Sequence, residues 1–377
     1  FILSDTKSYT SKTSHSNYIM LSDMNKNVKN ICREFLISII SVYSETIQPF
    51  LGTLTLLNFL PALLYGCSGP EPLQAPLAET TFNVSVTRSG GQIEEADIFV
   101  FKDDRLQKLD CYQKISRPRL WNEKVVSSYG DRIIAVCANS GRTSSDWAFV
   151  SSLPSLAETT RSLEDESLAS PFMFGARTIA AGKSNREISV HLRPLFSIVE
   201  LRTLSCDFSG RPYSGERLSD VKIYLTNVNA VCRISEEGEI LPSRIINAGE
   251  LCKDDMDMFE EPALLFRQIE GDVGKNALYT DISLICYPNN SREESPGTPF
   301  TRLVIEGKLS GQTFYWPIDI NRENGGKGIS INERYIYDIR ITRKGSSDPD
   351  IPVKTEAIDI KFEIEKWEER EDCSITF

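Results

Sequence analysis

Histidine and cysteine are common nucleophiles and metal ligands in proteins. In this sequence the histidines are few and the cysteines are scattered, which suits neither role. The only histidines are His15 and His191. A multi-histidine metal site is therefore excluded, and a Ser–His–Asp or Cys–His arrangement would depend on one of these two residues. The nine cysteines form no Cys-x-x-Cys pair and no tight cluster, which argues against a zinc site or a disulfide framework. We expect no enzyme activity, no cofactor and no metal.

One cysteine has a setting that favours modification. No charged residue occurs from Thr46 to Pro70, and this apolar stretch ends in Leu-Tyr-Gly followed by Cys67. Lys26, Lys29 and Arg33 precede it, so a basic flank, an apolar run and small residues follow one another as in a secretory signal. The ending resembles a lipobox, in which the chain is cut before the cysteine and the thiol carries a diacylglycerol. A retained membrane helix and a buried core helix are the alternatives.

The signal interpretation sets residues 1–66 apart as a targeting segment and starts the mature protein at Cys67. The Pro-rich stretch that follows is suited to a short tether. The whole chain carries a net charge of −11, which argues against nucleic acid as a partner, because nucleic acid selects clustered basic residues.

Beyond the tether, the pattern predicts a mainly β protein of two tandem β-sandwich domains, at 67–193 and 194–377. Continuous apolar runs at 96–101 and 132–138 are typical of strands that are covered on both faces. Stretches 301–306 and 313–320 flank a turn and predict a hairpin. Leu153 to Leu168 is the best helix candidate. The strictest alternation comes last, with Ile358, Ile360, Phe362 and Ile364 on one face of a strand.

Several stretches resemble, in order, the fimbrillins, which are subunits of the type V pili of anaerobic bacteria with an outer membrane. After Cys67 these stretches are TTFNVSVTR (80–88), EEADIFVFKDDRLQKLD (94–110), DRIIAVCANSG (131–141), SPFMFGA (170–176), VHLRPLFSIVELRTL (190–204), FYWPIDI (314–320), NERYIYDIRITRKG (332–345) and EIEKW (363–367). The resemblance spans 67–367, and it rests on the order and spacing of these stretches rather than on any one of them.

The resemblance implies export as a lipoprotein, a fimbrium on the outer membrane and assembly with other fimbrial subunits by strand exchange. It implies that a protease cuts after Arg88 and removes a first strand that contains Phe82, Val84 and Val86. The strand from Ala357 to Trp367 is then a candidate donor, or the sheet strand beside the donor.

Two alternatives to a polymerising subunit follow from the sequence. The loop after Arg88 is short, and the chain ends ten residues beyond Trp367, which favours the related anchor subunit that keeps its lipid. A surface glycan-binding lipoprotein is the other alternative, with stacking surfaces at Trp121, Trp147 and Trp316. A host protein or glycan is a further candidate partner.

Overall fold

The computed structural model describes residues 79–88, 91–116, 125–180, 186–235, 238–353, 357–366 and 375–376. The strands before residue 195 are β1 Glu79–Arg88, β2 Glu95–Lys102, β3 Leu109–Ser116, β4 Val125–Ser128, β5 Arg132–Ala138, β6 Thr160–Ser162, β7 Met173–Ile179 and β8 Arg186–Pro194. The later strands are β9 Ser197–Cys206, β10 Ser219–Thr226, β11 Val228–Asn229, β12 Val231–Arg233, β13 Ile245–Ile246, β14 Phe266–Gln268, β15 Leu278–Cys286, β16 Arg302–Leu309, β17 Gln312–Asp319, β18 Glu333–Ile341, β19 Ile358–Lys366 and β20 Ile375–Thr376. Two one-turn α-helices, α1 Leu153–Ala157 and α2 Lys253–Met256, accompany them. The predicted mainly β fold is confirmed.

Seven of the first eight strands, all except β6, form one eight-stranded sheet with β20. The strand order is β20–β1–β8–β7–β5–β2–β3, and β4 also pairs with β1. The sheet folds over between β7 and β8, which pair at only two positions. Gly175 lies at this fold, where a Cβ atom would come within 2.1 Å of the carbonyl oxygen of His191. A glycine is required here because the two backbones approach so closely.

Strands β2 and β5 are covered on both faces, as their apolar runs predict. Every residue of β5 is buried. In β2, Ile98 and Val100 contribute to one apolar core, whereas Phe99 and Phe101 contribute to another. The Phe99 ring packs edge-on against Trp147, with their ring centres 5.2 Å apart. The apolar core that contains Phe99 therefore lies against one face of β2, and the core that contains Ile98 lies against the other.

The later strands form a second sandwich from two four-stranded sheets, β14–β10–β16–β17 and β15–β9–β18–β19. Apolar residues of both sheets belong to one buried cluster, in which Trp316 and Tyr335 are among the largest side chains. The same cluster includes Phe99 and Trp147 from the first half. Strand β8 belongs to the first sheet and β9 to the second sandwich. This change lies beside the domain boundary predicted at 193/194, and the boundary itself stays a prediction.

The helix predicted from Leu153 to Leu168 is wrong in extent. Helix α1 begins after Ser152, whose hydroxyl accepts from the Ser155 backbone N–H, and it ends at Ala157. The chain then becomes β6, which pairs antiparallel with β12. Thr159, Thr160 and Ser162 are poor helix formers, and pairing with a strand from the second half outweighs the weak local preference of this stretch for a helix. Leu163 still reaches the core, where it is fully buried.

The predicted hairpin is present with a tighter turn. Strands β16 and β17 pair from Arg302↔Asp319 to Leu309↔Gln312, which leaves Ser310 and Gly311 as the connection. Both have positive φ values, 52° and 78°, as a two-residue hairpin turn requires. The sequence predicted a longer turn because Gly307 and Lys308 resemble turn residues, but they lie within β16.

Among the described residues, no helix has the length and apolar character needed to cross a membrane.

Candidate assembly groove

Strand β1, the predicted removable strand, lies between other strands of the first sheet. It runs parallel to β8 over seven positions, from Phe82↔Arg186 to Arg88↔Leu192. On its other edge the first residues pair with β4, and Ser85 and Val86 pair with β20. Loss of β1 would therefore expose the backbone edge of β8, and an unpaired edge of this kind can pair with another chain.

Val84 anchors β1 in an apolar core, and it is the one residue of the strand whose side chain is described. It is fully buried. It belongs to one buried apolar cluster of the first sandwich together with Ile93, Ala96, Ile98, Val100, Ile115, Val125, Ile134, Val136, Ala138, Met173, Ile188, Val190 and Leu192. Vacating β1 would expose part of this apolar surface, so the space is suited to a strand with an apolar residue at the same register. The side chains of Phe82 and Val86 lie outside the described residues.

A polar cluster ties β4, the strand that pairs with the first residues of β1, to β3 and to the start of β5. The carboxylate of Asp110, on β3, accepts from the hydroxyls of Ser127 and Ser128 at 2.7 Å each, and from the Ser128 backbone N–H at 2.8 Å. Arg132 donates to Asp110 at 3.3 Å and to the carbonyl oxygens of Ser128 and Tyr129. We call these five residues the β4 clasp.

The electrostatics of the clasp depend on Asp110. Partial burial alone would raise the pKa of this carboxyl group, but hydrogen bonds from Ser128 and Ser127 and the positive charge of Arg132 outweigh it and lower the pKa below its usual value of 3.8. Arg132 is 6% exposed at its side chain. Asp110 and Arg132 thus form an ionised, almost enclosed pair within the clasp. Loss of either partner leaves a buried charge uncompensated.

The predicted processing site, Arg88, is the last residue of β1, and its backbone pairs with Leu192. Its side chain and residues 89–90 lie outside the described residues. From Gly91 the chain is held again. A Cβ atom on Gly91 would overlap the Pro171 ring at 2.2 Å, and the backbone N–H of Gln92 donates to Ala169 at 2.8 Å.

Asn139 completes this attachment. Its amide nitrogen donates to the carbonyl oxygens of Gln92 at 2.6 Å and Pro171 at 2.9 Å, and its amide oxygen accepts from the Glu94 backbone N–H at 2.8 Å. Only two residues therefore separate the paired end of β1 from a fixed segment. A protease needs several accessible extended residues around its cleavage site, so we expect cleavage after Arg88 to be slow in the folded chain.

Strand β19, the predicted donor or neighbouring strand, lies in its own subunit's second sandwich. It pairs antiparallel with β18, which places Ile358, Ile360, Phe362 and Ile364 opposite Ile341, Ile339, Tyr337 and Tyr335. These four residues of β19 share one face, as predicted, but their burial decreases along the strand. Ile358 is buried and Ile360 half-buried, whereas Phe362 is 36% and Ile364 is 47% exposed. Trp367 lies outside the described residues.

The other residues singled out by sequence fall into two groups. Cys67, the targeting segment 1–66 and Trp121 lie outside the described residues. Trp316 is fully buried and donates from its indole N–H to the Arg343 carbonyl oxygen at 3.1 Å. Trp147 is also buried, with the Arg142 guanidinium 4.7 Å from its ring centre. Neither of these two tryptophans presents a free ring for stacking on a sugar. Among the described residues, no group of His, Cys, Asp or Glu side chains is arranged to hold a metal ion.

Sequence reasoning missed the β4 clasp and the role of Asn139. Asp110 and Arg132 are 22 residues apart, and neither lies in a recognisable motif. From the sequence, Asn139 is recognisable only as the first residue of an Asn-Ser-Gly stretch that is typical of a turn. Its positive φ of 55° agrees with that, but its side-chain contacts link three segments that only the fold brings together.

No protein-family model and no curated protein matches the sequence, but solved structures share the fold. A proposed cell adhesion protein from Bacteroides eggerthii matches with a TM-score of 0.61 and 16% identity, over 78% of this chain and 97% of that one. A second, from Parabacteroides distasonis, matches with a TM-score of 0.57 and 16% identity, over 79% and 100%. A fimbrilin from Porphyromonas gingivalis matches with a TM-score of 0.54 and 14% identity, over 76% and 98%.

These similarities define the class of the protein at the level of its fold. The chain has the β-sandwich fold of a fimbrilin and of proposed cell adhesion proteins, and it spans almost the whole of each. The resemblance to fimbrillins that the sequence indicated is thereby confirmed for the fold.

Proposed function

We propose that this protein is a structural subunit of a cell-surface fimbrium that supports adhesion. The observation that carries the proposal is the fold shared with a fimbrilin over 98% of that chain, at a TM-score of 0.54. Export as a lipoprotein through Cys67 and assembly by strand exchange with other fimbrial subunits are parts of the same proposal.

The arrangement of β1 supports strand exchange. The strand contributes Val84 to the core from a position between β8 on one edge and β4 with β20 on the other. It is the first described strand, and its departure would expose the edge of β8 and release β4 and β20 from their pairing with it. A donor strand would then replace both its backbone hydrogen bonds and its apolar contacts.

Strand β19 has the character of a donor. Among the described strands it pairs with β18 alone, and its exposed fraction rises towards Lys366. Segments with few buried apolar contacts are the first to open locally. Alternating apolar residues, of which Phe362 and Ile364 are partly exposed, would suit a groove lined by residues such as Val84's neighbours.

A lipid-retained pilus anchor at the outer membrane is the second candidate, and the attachment of Gly91, Gln92 and Glu94 favours it. If β1 stays in place, the lipid on Cys67 stays with the subunit. The glycan-binding alternative loses support because Trp147 and Trp316 are buried.

Deletion of the gene followed by electron microscopy of the cell surface tests the fimbrial role. We expect fimbriae to be lost, shortened or detached, and complementation to restore them. Unchanged fimbriae would contradict the proposal. Labelling with a fatty-acid analogue tests export separately: the wild type should be labelled and Cys67→Ala should not. Binding to a sugar array that survives in the Trp316→Ala and Trp121→Ala variants would count against those residues as stacking surfaces.

A further inference from the structure

The free edge of β19 carries a pattern that is complementary to itself. Within the described part of the chain, β19 ends its sheet, and its only partner is β18. On the face shared with Tyr335 and Tyr337, the ring of Phe362 packs at centroid distances of 6.0 and 4.8 Å. Phe362 and Ile364 nevertheless remain 36% and 47% exposed. An apolar edge of this kind is a template for another strand.

The sequence of β19 restricts which strand fits this edge. In an antiparallel pair, directly opposite side chains share a face. A partner must therefore present apolar residues opposite Ile360, Phe362 and Ile364, and charges of opposite sign opposite Lys361 and Glu363. Strand β19 itself alternates in this way.

We infer that β19 pairs antiparallel with β19 of a second copy of this chain, about a two-fold axis at Phe362. In this register Phe362 lies opposite Phe362 of the partner subunit, and Ile360 lies opposite Ile364 of the partner subunit. Lys361 lies opposite Glu363 of the partner subunit, and the symmetry repeats each of these pairs. Two four-stranded sheets then form one sheet of eight strands. An interface with a two-fold axis needs such a self-complementary patch.

The neighbouring charges are compatible with this register. Asp359 lies opposite Glu365 of the partner subunit, which is unfavourable by itself. Each of the two acids, however, has an arginine across the ladder in its own subunit, because Asp359 pairs with Arg340 and Glu365 with Arg334. Glu363 is 53% exposed at its side chain beside Arg202, so it is accessible to a lysine from outside.

Other registers are less favourable. A shift by one residue places apolar side chains opposite charged ones. A two-residue shift in either direction places Lys361 or Glu363 opposite its own copy, and like charges directly opposite are destabilising. A shift that centres the pairing on Ile360 leaves Ile364, the most exposed apolar residue of β19, without a partner.

This pairing does not depend on the fimbrial role, and it would hold β19 within its sheet. A subunit that donated β19 would have to leave the pair first. Pairing and donation would therefore compete for the same strand.

Sedimentation velocity of the purified full chain in detergent, over a wide range of concentration, tests the pairing. We expect a monomer–dimer equilibrium that Lys361→Glu weakens by roughly tenfold or more, because two attractive cross-strand pairs become repulsive. The double variant Lys361→Glu with Glu363→Lys should restore the dimer, since the pairs are then reversed. Lys327→Glu changes the net charge equally at an exposed position and should leave the dimer unchanged. A monomer at all concentrations, or equal weakening by Lys361→Glu and Lys327→Glu, would overturn the inference.

A cysteine experiment tests the register. Phe362→Cys should form a disulfide-linked dimer under mild oxidation, because opposite Cα atoms lie within the distance that a disulfide requires. Glu365→Cys, on the same strand, lies opposite Asp359 of the partner subunit and should not crosslink to itself. Both variants are made with Cys111→Ser and Cys252→Ser, because these two are the partly exposed cysteines among the described residues. Cys32, Cys67 and Cys373 lie outside the described residues and are replaced by serine as well. Equal crosslinking of both variants, or crosslinking of Glu365→Cys alone, would contradict the register.

Discussion

The hydroxyl of Tyr287 donates to the carboxylate of Glu166 at 2.8 Å, in a site where both side chains are fully enclosed. Glu166 comes before β7, and Tyr287 follows β15, so this bond joins the two halves of the described chain. The same carboxylate accepts from the Phe172 backbone N–H at 3.0 Å and lies 3.6 Å from Arg161. Burial raises the pKa of Glu166, which means that its charged form depends on these donors.

We predict that Tyr287→Phe lowers the free energy of unfolding by about 1–3 kcal/mol, because it removes a donor from a buried carboxylate without changing the packing. Chemical denaturation of the full chain measures this. Tyr279→Phe is the matched control, since Tyr279 is 79% exposed, and it should change stability by less than about 0.5 kcal/mol. Equal effects of the two substitutions would show that the Glu166 bond contributes no stability.

This contact also illustrates what the sequence could not reveal. Apolar runs predict β2 and β5 well, because each strand's own residues determine which faces are buried. Leu153 to Leu168 failed because its structure depends on β12, which is some 70 residues later in the chain. No local pattern contains the information that a distant strand is available to pair.

The sequence likewise predicts only part of the candidate groove. The alternation around Val84 is enough to predict a strand, but the β4 clasp depends on Asp110 and Arg132, which meet only in the folded sheet. For β19 the sequence predicts which residues share a face, but burial also depends on what lies opposite that face. The structure leaves Phe362 and Ile364 partly uncovered.

The β4 clasp should make stability depend on pH in the acid range. The pKa of Asp110 is lower in the folded state than its usual value of 3.8. Its ionised form therefore stabilises the fold above pH 3.8, and this contribution is lost as the pH falls through the lowered pKa. We predict that Asp110→Asn lowers the free energy of unfolding at pH 7 by about 1–3 kcal/mol, and that the difference from wild type shrinks towards pH 3.

Urea denaturation of both proteins at a series of pH values measures this difference. Asp103→Asn serves as the control, because Asp103 lies in an exposed turn. Its difference from wild type should be small and independent of pH. If the Asp110→Asn difference is also the same at every pH, the clasp does not hold an ionised Asp110.

Val84 should determine how firmly β1 stays in its groove. Val84→Ala removes two methyl groups from a fully buried position, and we predict a loss of about 1–3 kcal/mol in the free energy of unfolding. Val126→Ala, on neighbouring β4, is the comparison, since Val126 is 41% exposed and should lose much less. Hydrogen exchange should show β1 amides exchanging faster in Val84→Ala than in Val126→Ala. Similar exchange of β1 in both variants would argue that Val84 is not its anchor.

Cleavage after Arg88 would distinguish the two proposed roles, a polymerising subunit and an anchor. The geometry predicts that the folded chain resists this cleavage. Arg88 is paired with Leu192 on one side of the bond, and the chain is fixed again at Gly91 on the other. Arg292, by contrast, has a side chain that is 85% exposed. We expect an arginine-specific protease to cut the folded full chain after Arg292 well before Arg88.

A longer loop should remove this resistance. Inserting a Gly-Ser-Gly-Ser segment between Ser89 and Gly90 gives a protease an extended stretch to bind, so cleavage after Arg88 should accelerate in this variant. The same insertion after Gly210, in an exposed turn, should leave cleavage at Arg88 slow, and Arg88→Ala should abolish it in every background. Mass spectrometry of the N-terminus measures cleavage in all six proteins, which are the wild type and the two insertion variants, each with and without Arg88→Ala. Rapid cleavage of the wild type at Arg88 would contradict the prediction, because the two-residue loop would then be accessible as it stands. It would also favour the polymerising subunit, since release of β1 would separate the protein from the lipid proposed on Cys67.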